Sequence, residues 1–424
     1  MSNSSATLAL IGLLLSITVG FISKYTYQGG AALEIAYFFL FSFILAYSSL
    51  KPSIEKQTAS RSISIFLITI IAWCTYTSFI GSTLPALSQA AIYIAFVTPI
   101  FYKYKFTQKN INVFIALITT LVLAQIFFDL IFPNTQLDDA LDYYSGTFLL
   151  ANNKSRFLGF ILPLVFIVHR RTKKPYLKTA TLLALIFGGA SFYIGYSNIS
   201  YVFIILSALL AFTFKSYYKG TLCAFLGLTL ILTSFKLILS LIDLNPTEEA
   251  LVLYNTTRYI DTELGVAAVY NYGLAKMQDY FYIVGVGLGQ FSTRGAQFFH
   301  TALNRDIPET MIVYGQLFKA STPYGLSSIF TLLTEGGIAG LIVVFLTIRR
   351  IAVHTSGFLS RYMAFYIFLM MLYSPVLFEF SELFSYFICL VVAEKYVILN
   401  RNNRKFIKPA NRIFANNLIS ATDK

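Results

Sequence analysis

The run NINVFIALITTLVLAQIFFDLIF, residues 110–132, decides the class of this chain. A helix needs about 20 apolar residues to cross about 30 Å of hydrocarbon, and this run supplies them without interruption. Its one acidic residue, Asp129, sits near the far end, where a carboxylate either reaches the interface or meets a basic partner. The run is entered through the lysine-rich YKYKFTQKN and left through PNTQLDDALDYYSGTFLLANNKS, which has no basic residue before Lys154. That asymmetry is the mark of a membrane span whose first end faces the cytoplasm.

Similar windows recur at residues 6–23, 31–50, 62–80, 84–101, 156–169, 178–196, 199–214, 220–242, 325–348, 361–378 and 382–399, so about twelve spans are expected. Of 424 residues, 57% are hydrophobic and 12% charged, and the mean hydropathy is +0.68, well above that of soluble domains. The expected fold is all-α, one polytopic integral membrane domain over residues 1–424, because only helices or closed barrels satisfy their backbone inside lipid. The opening MSNSSATLALIGLLLSITVG lacks a basic leader and a small-residue cleavage site, and reads as the first span.

A net charge of +13 invites a nucleic-acid reading, but most of the lysine and arginine lies in KPSIEKQTASR, YKYKFTQKN, HRRTKKPYLK, FKSYYKG, TIRRIAVHTSGFLSR and the basic tail, residues 400–424. All of these fall on one side of the expected topology. Both termini are therefore placed in the cytoplasm, and no nucleic-acid partner is implied. Cys74, Cys223 and Cys389 lie in apolar windows without a C-x-x-C pair, so no disulfide or metal framework is expected.

Two outer segments exceed a turn: residues 133–155, and the large loop 243–324, whose aromatic and aliphatic residues recur at helical spacing and predict short amphipathic helices. Basic residues are disfavoured on this side, so Arg156, Arg258 and Arg294 call for a reason. Guanidinium groups grip phosphate oxygens in two-pronged fashion; pairing within a helix, as of Arg258 with Asp261, is the structural alternative. The stretch VGVGLGQFSTRGAQFFH, residues 284–300, lacks the strand and downstream acid of a dinucleotide site. Gly285, Gly287 and Gly289 permit a tight turn whose amides can hold an anion, or one that packs the loop on the bundle. The run LDDALD, with Asp138, Asp139 and Asp142, reads either as a weak magnesium motif or as a solvated helix start.

The stretch TTRYIDTELGVAAVYNYGLAKMQDYFYIVGVGLGQF, followed by SSIFTLLTEGGIAGLIVVFL, resembles the signature of the O-antigen ligase and polymerase superfamily. Arg258, Gly285, Gly287, Gly289, Phe291, Leu333, Glu335, Gly337 and Gly340 stand at the matching places. In NNKSRFLGF, Arg156 and Gly159 resemble the arginine and glycine that open a helix after the earlier outer loop. The ligases of that superfamily are expected to carry a histidine just before the LLxE segment. Here Leu326 and Ser327 stand there, so the resemblance points to a Wzy-type polymerase of O-antigen or capsule repeats.

The resemblance implies a bacterial inner-membrane glycosyltransferase using no cofactor and no metal. It would transfer a polyprenyl-pyrophosphate-linked glycan onto another lipid-linked repeat unit on the periplasmic face. Its partners would be the donor, the acceptor, membrane lipids and a chain-length regulator. Arg156, Arg258 and Arg294 would bind the departing pyrophosphate, where negative charge builds. Glu335 or His300 would take the acceptor proton: Glu335 because a carboxylate at membrane depth is costly unless it is paired or functional, His300 because imidazole titrates near neutrality. Glu335 as a helix cap or ion-pair partner is the structural alternative. The runner-up enzyme is an O-antigen ligase. The alternative of another class is a lipid-linked oligosaccharide flippase, which would keep its polar residues nearer the bilayer midplane.

Overall fold

The structure is a computed structural model that describes residue 13 and residues 61–97, 100–101, 107–131, 151–195, 198–239, 273–279, 283–291, 293–299, 301–305, 327–373 and 385–398. The expected spans 6–23 and 31–50, Asp138, Asp139 and Asp142, Arg258, His300 and the tail all lie outside the described residues, Leu13 excepted. The chain is all-helical where it is described, with no strand among the described residues. The helices are α1 (Arg61–Ile80), α2 (Thr83–Val97), α3 (Gln108–Ile131), α4 (Ala151–Arg171), α5 (Pro175–Ile194), α6 (Asn198–Thr213) and α7 (Tyr217–Leu239). They continue with α8 (273–279), α9 (Arg294–Phe299), α10 (Ala302–Arg305), α11 (Ser328–Gly336), α12 (Ile338–Ala352), α13 (Phe358–Tyr373) and α14 (385–398).

The sequence of α1 explains how such a helix sits. Ile63, Phe66, Ile70, Trp73 and Thr77 recur every three or four residues and face the core, while Ile68 is 66% and Phe79 85% exposed on the other side. A helix that is apolar on its outward face as well is built for lipid rather than for water. Among the described residues three helices, α1, α3 and α5, are long and apolar enough to cross a membrane. Their 20, 24 and 20 residues span about 30–36 Å at the helical rise. The apolar stretches of α6 and α13 are shorter. At the centre, Tyr362 to Met371 of α13 and residues 385–394 of α14 are buried on every face. Around them α3, α4 and α5 pack on one another, and α13 meets α4, α6, α7 and α11.

Two expected boundaries are corrected. The window 325–348 is not one span: Gly337, with φ +49, separates α11 from α12. The helix expected at 156–169 begins five residues earlier, at Ala151, and takes in Lys154, which was expected in the smaller outer loop. That is feasible because Lys154 is not solvated but buried against Asp129, at 2.8 Å.

Inside α4, Pro163 has no N–H to give the carbonyl one turn back, which belongs to Gly159. The Tyr362 hydroxyl fills that gap, donating to Gly159 O at 2.8 Å, and Tyr366 donates to Arg156 O at 2.9 Å. Tyr362→Phe is therefore expected to cost about 1 kcal/mol in the native chain. The same change should cost clearly less beside Pro163→Ala, whose restored amide takes over the carbonyl. Thermal unfolding of the four variants in detergent measures this, and an equal cost in both backgrounds would refute the pairing.

Candidate functional site

The break at Gly337 frees groups that a continuous helix would pair, and the glycine run picks them up. Val286 N donates to Thr334 O at 3.0 Å, Gly287 N to Glu335 O at 2.9 Å, and Ile338 N to Ile283 O at 2.7 Å. The Glu335 carbonyl also accepts the Trp73 indole N–H at 3.1 Å, which ties the break to α1. Leu288 N donates to Thr77 Oγ1 at 2.7 Å. Buried backbone groups need partners, and here the loop and the broken helix supply each other's.

The glycines are required by this approach. Gly285, Gly287 and Gly289 have φ of +68, +106 and +71, in the region that side chains disfavour. A Cβ on Gly285 would stand 2.6 Å from the Glu335 carbonyl, and one on Gly289 2.6 Å from the Pro85 carbonyl at the start of α2.

Glu335 itself is completely buried. Its carboxylate accepts the amides of Gly289 at 2.7 Å, Phe291 at 3.0 Å and Thr293 at 3.3 Å, and the Thr293 hydroxyl at 3.0 Å. A carboxylate offers about four lone-pair positions, so these donors occupy it. The amides do cradle an anion, and that anion is the protein's own. This geometry favours a structural role for Glu335 over that of general base, although with loop amides rather than a helix cap or an arginine as partners: its carboxylate has no exposed surface and donors on both oxygens.

Thr293 immediately precedes Arg294, the first residue of α9, so the Glu335 clamp also sets where that helix starts. α9 packs on α2, where Gly295 N donates to Gln89 Oε1 at 3.1 Å. Gln290 closes the turn from within: it exchanges hydrogen bonds with Ser82, and its carbonyl accepts the Thr301 hydroxyl at 2.6 Å. Of the other expected site residues, Arg156 lies partly exposed on the second turn of α4. Arg258 and His300 are outside the described residues.

Sequence reasoning passed over Trp73, Thr77, Gln89, Gln290 and Thr293. For three of them a signal was present: a tryptophan with no other in the chain, and Thr77 and Gln89 as polar side chains inside apolar windows, where each needs a partner; Gln290 and Thr293, in the polar loop, carried none. The chain matches no protein-family model, no curated protein and no solved structure. What fold and site define together is a chain that is helical over its described residues, with helices long and apolar enough to cross a membrane and a glycine loop locked into a broken helix by a buried glutamate.

Proposed function

We propose that this protein is an inner-membrane polysaccharide polymerase that extends a lipid-linked glycan on the periplasmic face. The observation that carries the reading is the Glu335 clamp: a rigid turn ending in Thr293 and followed at once by Arg294. A loop held so tightly is a platform for groups that must meet a charged headgroup in one geometry. In the reaction, the sugar–pyrophosphate bond of the donor breaks and a hydroxyl of the acceptor forms the new glycosidic bond. Polyprenyl pyrophosphate leaves with the electron pair. Arg156, Arg258 and Arg294 stabilise its growing charge, and the hydroxyl proton passes to a base other than Glu335, for which His300 is the candidate.

The test is purified protein with synthetic lipid-linked repeat units and no energy source. Elongated products are expected, and Arg258→Ala is expected to abolish them at unchanged protein level. Unaltered substrate would favour transport instead, and transfer to a lipid A core acceptor alone would favour a ligase. Normal product ladders from Arg258→Ala would remove that arginine from the site.

A further inference from the structure

The first three turns of α4 are held from both sides. On one side the Lys154 ammonium bonds both Asp129 oxygens, at 2.9 and 2.8 Å, and Asp129 also accepts the Ser191 hydroxyl at 2.5 Å. This joins the outer ends of α3, α4 and α5. The neighbouring Ser155 hydroxyl donates to Phe192 O on α5 at 3.4 Å. On the other side Tyr366 and Tyr362 of α13 hold the carbonyls of Arg156 and Gly159. From Asn153 to Phe160 every side chain is buried except that of Arg156.

A fully buried ion pair is a poor device for stability, because desolvating both charges offsets their attraction, and an apolar pair of similar volume does as well or better. What such a pair supplies is direction: two oxygens and one ammonium meet in one register of the helices. Here the register it sets is that of the turn bearing the one side chain left partly open. We propose that Lys154, paired with Asp129 and Ser191, is a positioning residue that aims Arg156 at the pyrophosphate of a lipid-linked substrate. The inference rests on the polymerase reading.

The experiment uses the full-length protein in lipid nanodiscs, with farnesyl pyrophosphate as probe and thermal unfolding as control. Asp129→Leu/Lys154→Met removes both charges at similar volume. It is expected to unfold at the native temperature or above while binding the probe about tenfold more weakly or worse. A merely structural pair would leave binding intact, and that outcome overturns the proposal. Adding Arg156→Ala to the double variant should weaken binding no further, since the pair acts through that arginine; losses that simply add would also overturn it. Should the double variant not fold, Lys154→Arg serves in its place. Its bulkier fork keeps the charge but shifts the turn, so weakened binding supports the proposal and native binding defeats it. A native protein that does not bind the probe defeats the polymerase reading and this inference together, whereas native binding retained in the double variant defeats this inference alone.

Discussion

Glu335→Ala is expected to lower stability by about 3–5 kcal/mol, because buried neutral donors are left without an acceptor. The change strips four donors of their acceptor: the amides of Gly289, Phe291 and Thr293 and the Thr293 hydroxyl. Each buried donor left without a partner costs about 1–3 kcal/mol, and water entering the gap recovers part of the sum. Glu335→Gln keeps one acceptor oxygen but turns an NH2 group toward an amide donor, so an intermediate loss is expected. Trp73, the chain's one tryptophan, reports the event directly. Its indole bonds the Glu335 carbonyl and stacks on Tyr93, with ring centroids 6.1 Å apart. When the loop detaches, its emission should move to the red ahead of global unfolding. An unchanged unfolding midpoint together with an unshifted emission would show that the carboxylate does not hold the loop.

Gly289→Ala is the second large effect. The left-handed backbone at φ +71 costs a non-glycine residue about 1–2 kcal/mol. The new Cβ also meets the Pro85 carbonyl at 2.6 Å, and forced repacking of that kind adds about 1–3 kcal/mol. The neighbour here is backbone at the start of α2 and has no rotamer to give. A total loss of about 2–5 kcal/mol is expected. Gly227→Ala is the matched control: it lies within α7, and a Cβ there meets nothing within 4 Å. Alanine in a helix interior is better than glycine by about 0.5–1 kcal/mol, so that variant should equal or exceed the native protein. Equal unfolding midpoints for the two alanine variants would contradict the turn described here.

The class of the fold was legible because it depends on one-dimensional facts. Runs such as 110–132 are long and apolar whatever they pack against, and α3 follows that run to within a few residues. The same averaging hid the break at Gly337. The flanking segments are apolar on both sides, so hydropathy reads them as one helix, although a loop some fifty residues earlier in the chain takes over the freed carbonyls. Lys154 shows the reverse error. A lysine in a polar stretch reads as solvated, and only its distance to Asp129, 25 residues away in sequence, moves it inside.

The glycines illustrate both halves at once. Their alternate spacing announced a tight turn, one whose amides can donate to an anion or that packs the loop on the bundle, a local property of the backbone. Which anion it is could not be read locally, because Glu335 reaches the loop only through the packing of α11 on α12 and α13 and of α12 on α1. Residue type and periodicity determined that this chain is helical and suited to a membrane, since those follow from the solvation of each segment alone. The role of Glu335, the burial of Lys154 and the seat of Arg294 were decided by tertiary structure, since each depends on which distant polar group satisfies another where no water can.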